Sequence, residues 1–361
     1  MYMVNHPGTG CCRLGMRYFN CSCRENVRGD LFRCHRVAFL EESGLDRDSL
    51  VYATFRSGVK RRPYCIVIDK KWKAVVVIVR GTLSLEDAVA DIQLKPQPMD
   101  ECGRQYNFDG DGEYCHAGMF GAAEWVYSDL ESHGLLKTLL VGENCQCPNY
   151  SLYVVGHSLG AGVASILSLM LHKDFPDLKS LCFEPPGCVM SHNLAEQDFI
   201  TSYVVGTDIV PRLSLSALEN LRDDILEIIA KTKVPKHSVF ALNPFKQSKS
   251  PTGSIFHLDH SIPDSKFARQ LKEFKSHHQS RRVEAGLDGV ILVPPGKRII
   301  HMIKTSEHSK NCFGGVEFDY TPIWARHEDF SVIALSRSFL SDHDPASCAA
   351  ALQGVAESFS A

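Results

Sequence analysis

Residues 151–171 read SLYVVGHSLGAGVASILSLML, and this stretch decides the fold. An apolar run at 152–155 leads into Gly-x-Ser-x-Gly at 156–160, and an apolar segment then continues to Leu171. The pattern predicts a strand, a tight turn and a buried helix, with Ser158 presented on the turn as a nucleophile. A glycine-rich turn that only lets helix and strand pack closely gives a similar pattern, so the partners of Ser158 decide between the two.

Short apolar runs on both sides of this stretch predict further strands. They lie at residues 65–69, 74–79, 181–183, 199–205, 290–293, 298–303 and 331–335. Segments with helical spacing lie at residues 32–42, after Asp46 and Asp48, at 84–93, at 118–140 and at 215–229. Residues 95–116 are rich in Pro, Gly and Asp and predict a loop. The alternation of strands and helices predicts an α/β protein with a mainly parallel sheet flanked by helices.

A serine nucleophile needs a general base within hydrogen-bond reach and a carboxylate that orients the base. Where the chain order is serine, acid, histidine, we expect the acid after the second strand that follows the nucleophile strand. That position is Asp208, in the loop after residues 199–205. Glu184, at the end of the nearer strand, is the alternative, although the two prolines that follow it are typical of a strand end.

Nine histidines follow Asp208, and the base is expected on the loop after the last strand. Only His343 lies beyond the predicted last strand at 331–335, which makes it the candidate base. His327 precedes that strand and His301 lies within another. The remaining histidines of interest lie in a polar segment and are expected to be solvated: His257, His260, His277 and His278.

An oxyanion hole requires two backbone N–H groups that face the developing negative charge. One usually belongs to the residue after the nucleophile, here Leu159. The second comes from a loop after an early strand, and the apolar strand at 74–79 ends in Arg80, Gly81 and Thr82. The sequence therefore predicts Leu159 and Thr82 as the two donors.

The composition excludes several classes of protein. With 361 residues, 44% hydrophobic and 22% charged, the chain is an ordinary folded protein. Its net charge of −3 provides no positive field for nucleic acid. The longest apolar stretches, at 74–79 and 163–171, are far shorter than the roughly 18–20 residues that span a bilayer. Because the first ten residues lack a secretory pattern, a cytosolic compartment is the default expectation.

Residues 1–30 form a Cys- and Arg-rich N-terminal segment. With no export signal, we expect the 14 cysteines of the chain to be reduced. The pairs Cys11-Cys12 and Cys21-x-Cys23 do not give the repeat of a zinc site. Six arginines between residues 13 and 36 predict a basic patch suited to anionic lipid, with a solvated terminus as the alternative.

Residues 238–285 form a polar stretch between the candidate acid and the candidate base, inside the domain predicted at 31–361. The stretch holds eight serines, eight lysines or arginines and four histidines. This composition predicts a mobile insertion, which could cover the substrate groove or be a surface loop without a role.

Four segments together resemble the sn-1-specific diacylglycerol lipases of the class 3 lipase group of α/β-hydrolases. They are Val79-Arg80-Gly81-Thr82-Leu83-Ser84, Val155-Gly156-His157-Ser158-Leu159-Gly160-Ala161-Gly162, Pro185-Pro186-Gly187 and Asp208-Ile209-Val210-Pro211-Arg212. In that family the base lies in a Leu-x-(Glu/Asp)-His-x-Pro segment, which corresponds to residues 340–345 and to His343. The resemblance implies that Ser158, Asp208 and His343 are nucleophile, acid and base, and that residues 238–285 are a regulatory insertion.

The resemblance also implies an α/β-hydrolase fold and an activity. The expected reaction is hydrolysis of the sn-1 acyl ester of diacylglycerol, which yields a 2-monoacylglycerol such as 2-arachidonoylglycerol. A triacylglycerol lipase or phospholipase A1 of the same fold, or an inactive lipid-binding or scaffold protein, are the alternatives. Family members carry four transmembrane helices upstream, and this chain starts after them, so we expect peripheral attachment to the cytoplasmic side of a membrane. No protein partner is predicted.

Calcium is associated with the family, and one segment has a related pattern. Asn107-x-Asp109-x-Asp111-Gly112 matches the first half of an EF-hand loop, but position 12 is Gly118 in place of Glu. Serine hydrolysis needs no metal, so no metal or other cofactor is predicted for the triad, and Ca²⁺ is implied by the resemblance alone.

Overall fold

A computed structural model describes residues 27–28, 34–56, 58, 61–81, 96–233, 266–284, 289–309 and 316–360. The chain divides into two compact units. The larger unit runs to Leu215 and resumes at Ile291, and the smaller is Ser216–Val290. The predicted helix at 84–93, and the N-terminal segment apart from Val27–Arg28, lie outside the described residues.

A single large sheet forms the centre of the larger unit. Within the described residues it holds nine strands, and their spatial order across the sheet is β1 (Val27–Arg28), β2 (Leu50–Thr54), β3 (Tyr64–Asp69), β4 (Ala74–Val79), β7 (Ser151–His157), β8 (Lys179–Phe183), β10 (Ile200–Val205), β12 (Arg298–Ser309) and β13 (Val316–Ala325). Neighbours from β4 to β12 are parallel. Strand β3 is antiparallel to both of its neighbours, β2 and β4, and β13 is antiparallel to β12.

The strands alternate along the chain with helices. Those in the described residues are α1 (Cys34–Ser43), α2 (Asp100–Tyr106), α3 (Ala117–His133), α4 (Leu135–Leu140), α5 (Leu159–Leu171), α6 (His192–Ala195), α7 (Leu215–Lys231), α8 (Lys266–Glu284) and α9 (Pro345–Ser360). Short 3₁₀ turns lie at Arg47–Ser49, Val210–Arg212, His327–Phe330 and Ser341–His343. The mainly parallel sheet with helices between its strands confirms the expected α/β-hydrolase fold. None of the helices in the described parts of the chain is long and apolar enough to cross a membrane.

Helix α5 is the central packing element, and every one of its 13 residues is buried. The helix packs on β7 and on α3. Gly162 allows this close packing, because a Cβ there would lie 2.5 Å from Sδ of Met119. A helix that is apolar on all faces is stable only when other elements cover it on all sides. This burial fixes α5 beneath the serine turn.

Two predictions about the early part of the chain are wrong. The segment after Asp46 and Asp48 is β2 and not a helix, because Leu50–Thr54 is mostly buried and pairs with β3. Residues 95–116 are not a loop throughout, since they contain α2 and two strands of a small second sheet. In the described residues that sheet has the order β11 (Leu292–Val293), β9 (Met190–Ser191), β6 (Tyr114–His116) and β5 (Pro96–Pro98).

The end of the large sheet also differs from prediction. Residues 331–335 are not a strand. The last strand is β13, which pairs with β12 through a long register from Ile299 opposite Ala325 to Ser309 opposite Val316. The apolar side chains of Val332 and Leu335 suggested a strand, yet they are 66% and 70% exposed.

The smaller unit contains most of α7 and all of α8. The predicted helix at 215–229 is confirmed as α7. Two side-chain contacts join the helices: the Arg222 guanidinium lies 5.0 Å from the ring centre of Phe274, and Lys275 lies 3.9 Å from Asp223. Residues 266–284 belong to the predicted mobile insertion. They form a helix, since they lack Gly and Pro and are rich in helix-forming residues. Residues 238–265 and 285 lie outside the described residues.

Candidate active site

Ser158 lies on the turn between β7 and α5. Its backbone has φ 57° and ψ −133°, a conformation that non-glycine residues rarely adopt and that is stabilised only by its surroundings. The flanking glycines make the turn possible. A Cβ on Gly156 would lie 2.2 Å from the carbonyl oxygen of Gly160, and one on Gly160 would lie 2.5 Å from that of Val79.

Three predicted residues from distant parts of the chain form one hydrogen-bonded row. Oγ of Ser158 lies 2.9 Å from Nε2 of His343, and Nδ1 of His343 lies 2.9 Å from Oδ2 of Asp208. Asp208 follows β10, and His343 ends the 3₁₀ turn after the last strand. The distances suit proton transfer from the serine to the histidine, with the carboxylate fixing the imidazole tautomer.

Asp208 is fully buried, which has consequences for its charge. Burial raises the pKa of the Asp208 carboxyl, while the charge of His343 and the hydrogen bonds from His343 and from the Val210 N–H oppose that shift. The Val210 N–H donates to Oδ1 at 2.9 Å. The ionised form of Asp208 therefore depends on these two partners, and mainly on the histidine.

A second carboxyl, that of Glu184, lies beside the row. Glu184 is fully buried at the end of β8, with φ 50°. Its Oε2 lies 2.8 Å from Nε2 of His157 and 3.7 Å from Nδ1 of His343. Glu184 is the alternative acid predicted from the sequence. Its carboxyl lies farther from Nδ1 of His343 than the carboxyl of Asp208 does, at 3.7 Å against 2.9 Å.

The environment of Glu184 favours its neutral form. Burial, followed by the charge of Asp208, raises the pKa of Glu184 well above its usual range. Burial, followed by the neighbouring His343, lowers the pKa of His157 to about 3. A protonated Glu184 can donate to a neutral His157, whose ring centre is 4.9 Å from that of His343. The only signal for this pair in the sequence is the position of each residue at the end of a strand.

Asp342 positions the histidine loop and was not predicted. It is almost fully buried and its Oδ2 accepts hydrogen bonds from the Thr207 N–H at 2.8 Å and from Ser338 at 3.0 Å. Lys304 donates to its Oδ1 at 2.5 Å. Gly206 has no room for a side chain, since a Cβ there would lie 2.5 Å from the same Oδ2. In the sequence, the signal for Asp342 is the acidic residue before the histidine in the Leu-x-(Glu/Asp)-His-x-Pro segment at 340–345.

The part of the chain that carries the serine turn is similar to known lipases. Residues 76–217 match the class 3 lipase family. This match includes the Ser158 turn and Asp208 but ends before His343. The resemblance to diacylglycerol lipases that the sequence motifs indicate is confirmed by whole-chain similarity to two of them.

Diacylglycerol lipase-beta of Mus musculus is 29% identical over 362 residues, covering 96% of this chain and 52% of that protein. Diacylglycerol lipase-alpha of Homo sapiens is 29% identical over 385 residues, covering 99% of this chain and 34% of that protein. The chain thus spans about half the length of the first relative and about a third of the second. The crystal structure of a triacylglycerol lipase from Penicillium expansum superposes with a TM-score of 0.39 at 23% identity, over 47% of this chain and 64% of that one.

The predicted oxyanion donors belong to the start of α5 and to the segment after β4. Leu159 is the first residue of α5, where N–H groups have no carbonyl partner within the helix. Thr82 lies outside the described residues. Gly81, just before it, is close to the nucleophile, because a Cβ there would lie 3.4 Å from Cβ of Ser158.

The structure places the other candidate histidines on other elements. His301 is within β12, as predicted, and its Nε2 lies 2.6 Å from the carbonyl oxygen of Gly206. His327 follows β13, so the prediction that it precedes the last strand is wrong. Its ring contacts that of His192, with 4.9 Å between ring centres. His277 and His278 lie in α8, and not in a loop.

The segment with an EF-hand-like start forms a helix end and a turn. Asn107 caps α2 in the left-handed conformation, and the Gly112 N–H donates to Asp100 at 3.2 Å. Among the described residues, Asp109 and Asp111 belong to no group of three His, Cys, Asp or Glu side chains with converging ligand atoms. Calcium remains an expectation from the resemblance, and no step of the chemistry below depends on it.

Proposed function

We propose that this chain is a serine lipase that hydrolyses the sn-1 acyl ester of diacylglycerol. The observation that carries the proposal is the hydrogen-bonded row from Ser158 through His343 to Asp208. Its nucleophile lies on a strand–turn–helix unit within the region that matches class 3 lipases. The printed names of the two diacylglycerol lipases support the choice of substrate.

In the proposed reaction, Oγ of Ser158 attacks the ester carbonyl while Nε2 of His343 accepts the serine proton. Asp208 stabilises the imidazolium through Nδ1. His343 then donates this proton to the departing glycerol oxygen, which leaves 2-monoacylglycerol and an acyl-serine. A water molecule, deprotonated by the same histidine, releases the fatty acid and restores Ser158.

The tetrahedral intermediates carry a negative oxygen that must be stabilised. We assign this role to the N–H groups of Leu159 and Thr82. Removal of one such donor in other hydrolases lowers turnover by about 10²–10³. The proposed site of action is the surface of a membrane, because diacylglycerol is dissolved in the bilayer. The cytoplasmic side is proposed from the resemblance to the diacylglycerol lipases alone.

Labelling with a fluorophosphonate probe tests the nucleophile. The wild-type chain should be labelled, and Ser158→Ala should not. Ser165→Ala is the matched control, because Ser165 is a buried serine of α5, the helix after the turn, and its hydroxyl donates to the carbonyl oxygen of Gly162 at 2.8 Å. A wild-type chain without labelling would support the inactive scaffold, and labelled Ser158→Ala would exclude this serine as nucleophile.

A substrate panel then tests the reaction. Diacylglycerol with different acyl chains at sn-1 and sn-2, presented in detergent micelles, should release the sn-1 acid, as followed by mass spectrometry. Ser158→Ala should lower turnover by about 10⁴–10⁶, and Ser165→Ala should leave it unchanged. Faster hydrolysis of triacylglycerol or of phosphatidylcholine under the same conditions would favour the alternative lipase or phospholipase A1.

A further inference from the structure

A second group of convergent side chains lies in the larger unit and plays no part in the proposed reaction. One ligand atom each from His192, Glu196 and His327 lie within 4.8 Å of one another. His192 begins α6, Glu196 follows the end of that helix, and His327 begins the 3₁₀ turn after β13. The group therefore brings together two segments more than 100 residues apart in sequence.

The buried member of the group has a free nitrogen. His327 is only 7% exposed, and its Nε2 has no hydrogen-bond partner. A buried polar atom without a partner requires an explanation. Histidine binds metal ions through a ring nitrogen that carries no proton, and Nε2 of His327 is available for that role.

The two other members can adjust to an ion. The side chains of His192 and Glu196 are 52% and 51% exposed, and Nδ1 of His192 lies 3.9 Å from Oε1 of Glu196. In a tetrahedral site with metal–ligand distances of about 2.0–2.1 Å, ligand atoms are about 3.3 Å apart. The side chains would close by at most about 1.5 Å, which rotation of exposed side chains readily provides.

The donor set determines which ion fits. We propose that His192, Glu196 and His327 bind a borderline transition-metal cation, with Zn²⁺ as the best match. Two imidazoles and one carboxylate are ligands that Zn²⁺ accepts, with a water molecule at the fourth position. Ca²⁺ prefers six to eight oxygen ligands and is a poor match.

The location of the group suggests a stabilising role. A bound ion would connect α6 to the 3₁₀ turn at His327–Phe330. Arg212, which follows Asp208 closely, also holds this turn, since its Nη1 donates to the carbonyl oxygens of Asp329 at 2.8 Å and Val332 at 3.3 Å. Zn²⁺ binding should therefore raise the melting temperature, because a ligand that binds only the folded state stabilises it.

Zinc binding by the full chain tests the proposal. After removal of metals with a chelator and blocking of accessible thiols with N-ethylmaleimide, the wild-type chain is titrated with ZnCl₂ by calorimetry. His192→Ala, Glu196→Gln and His327→Ala should each lose one equivalent of bound Zn²⁺ or bind it at least about 10-fold more weakly. The Zn²⁺-dependent rise in melting temperature should disappear in the same variants. Excess Ca²⁺ should not displace the ion.

Two controls separate this site from others. His133→Ala removes a histidine of a similar pair, four residues from Asp129 and also 3.9 Å from a carboxylate oxygen. Among the residues that the structure describes, this pair has no third convergent ligand. His343→Ala removes the histidine of the other three-residue group, His157, Glu184 and His343. Both control variants should still bind one equivalent of Zn²⁺. Unchanged Zn²⁺ binding in His192→Ala and Glu196→Gln, or loss of binding only in His343→Ala, would overturn the proposal. His192 and Glu196 are exposed, so their variants test the site even if His327→Ala does not fold.

Discussion

The backbone N–H of Thr207 donates a 2.8 Å hydrogen bond to Oδ2 of Asp342. Thr207 immediately precedes Asp208, and Asp342 immediately precedes His343. The bond therefore joins the loops of the acid and the base one residue away from each. Because the alignment of the row depends on these loops, Asp342 is a positioning residue for the proposed triad.

Asp342→Ala should lower kcat about 10²-fold and leave KM unchanged, since a displacement of about 1 Å in a catalytic group has an effect of that size. Loss of this buried ion pair with Lys304 should also lower the free energy of unfolding by about 3 kcal/mol. Asp344→Asn, on the other side of His343, is the control and should be close to wild type. Wild-type kcat in a folded Asp342→Ala variant would show that the loop needs no such anchor.

The second prediction separates two histidines that both follow the last strand. His343→Ala should abolish hydrolysis and probe labelling, because Ser158 loses its 2.9 Å partner. His327→Ala, assayed in metal-free buffer, should change turnover only modestly, because its ring contacts His192. Turnover on a soluble short-chain ester, with the melting temperature of each variant, makes the comparison. Inactivity of a folded His327→Ala variant beside an active His343→Ala variant would contradict the assignment.

Much of the site could be predicted because its signals are local. The Ser158 motif carries its own strand, turn and helix, and counting two strands onward from it reaches Asp208. His343 is also correctly predicted to follow the last strand, although the strand used for that prediction does not exist. An apolar run at 331–335 suggested that strand. The actual last strand, β13, is half exposed and is recognised only by its pairing with β12.

The parts that were missed depend on contacts distant in sequence. Glu184 was named as an alternative acid, but its contact with His157 was not predicted, since it arises because β7 and β8 are adjacent. Asp342 contacts Thr207 across 135 residues. Short strands such as β5 and β6 are stabilised by pairing in the second sheet and by buried neighbours such as Met99, rather than by their own composition. Single-sequence patterns contain no information on such pairing.

The third prediction distinguishes the two buried carboxyls. Asp208→Asn should lower kcat about 10⁴-fold, because the amide stabilises the wrong imidazole tautomer. Glu184→Gln should retain most of the activity, since the amide can donate to Nε2 of His157 as a protonated carboxyl does. Single-turnover acylation rates of both variants provide the measurement. The reverse ranking would make Glu184 the acid of the triad.

The fourth prediction concerns stability and pH. The pKa of Glu184 is raised in the folded protein, so the folded state keeps a proton that the unfolded chain releases once the pH exceeds about 4.3. Stability from this group is complete below that pH and is lost as the pH rises toward the folded pKa. Glu184→Gln removes the effect, so the free energy of unfolding of the variant minus that of wild type should increase as the pH rises above about 5. Urea unfolding at a series of pH values above about 5 measures this difference, with Glu357→Gln at an exposed position as the control. The difference should increase with pH only for Glu184→Gln. A difference that stays constant with pH at position 184 would refute the prediction.

The last prediction tests why the serine turn needs glycine. A Cβ at Gly160 would lie 2.5 Å from the carbonyl oxygen of Val79 and 2.7 Å from the nitrogen of Gly81, and neither backbone atom can rotate away. Gly160→Ala should therefore lower the free energy of unfolding by at least about 3 kcal/mol, and any folded fraction should show reduced labelling of Ser158 because β4 and α5 have moved apart. Gly354→Ala is the matched control, since Gly354 is an exposed residue within α9 with nothing within 4 Å of the added Cβ. That change should stabilise the protein by about 0.5–1 kcal/mol through helix propensity, and equal unfolding midpoints for the two variants would mean that the turn tolerates a side chain.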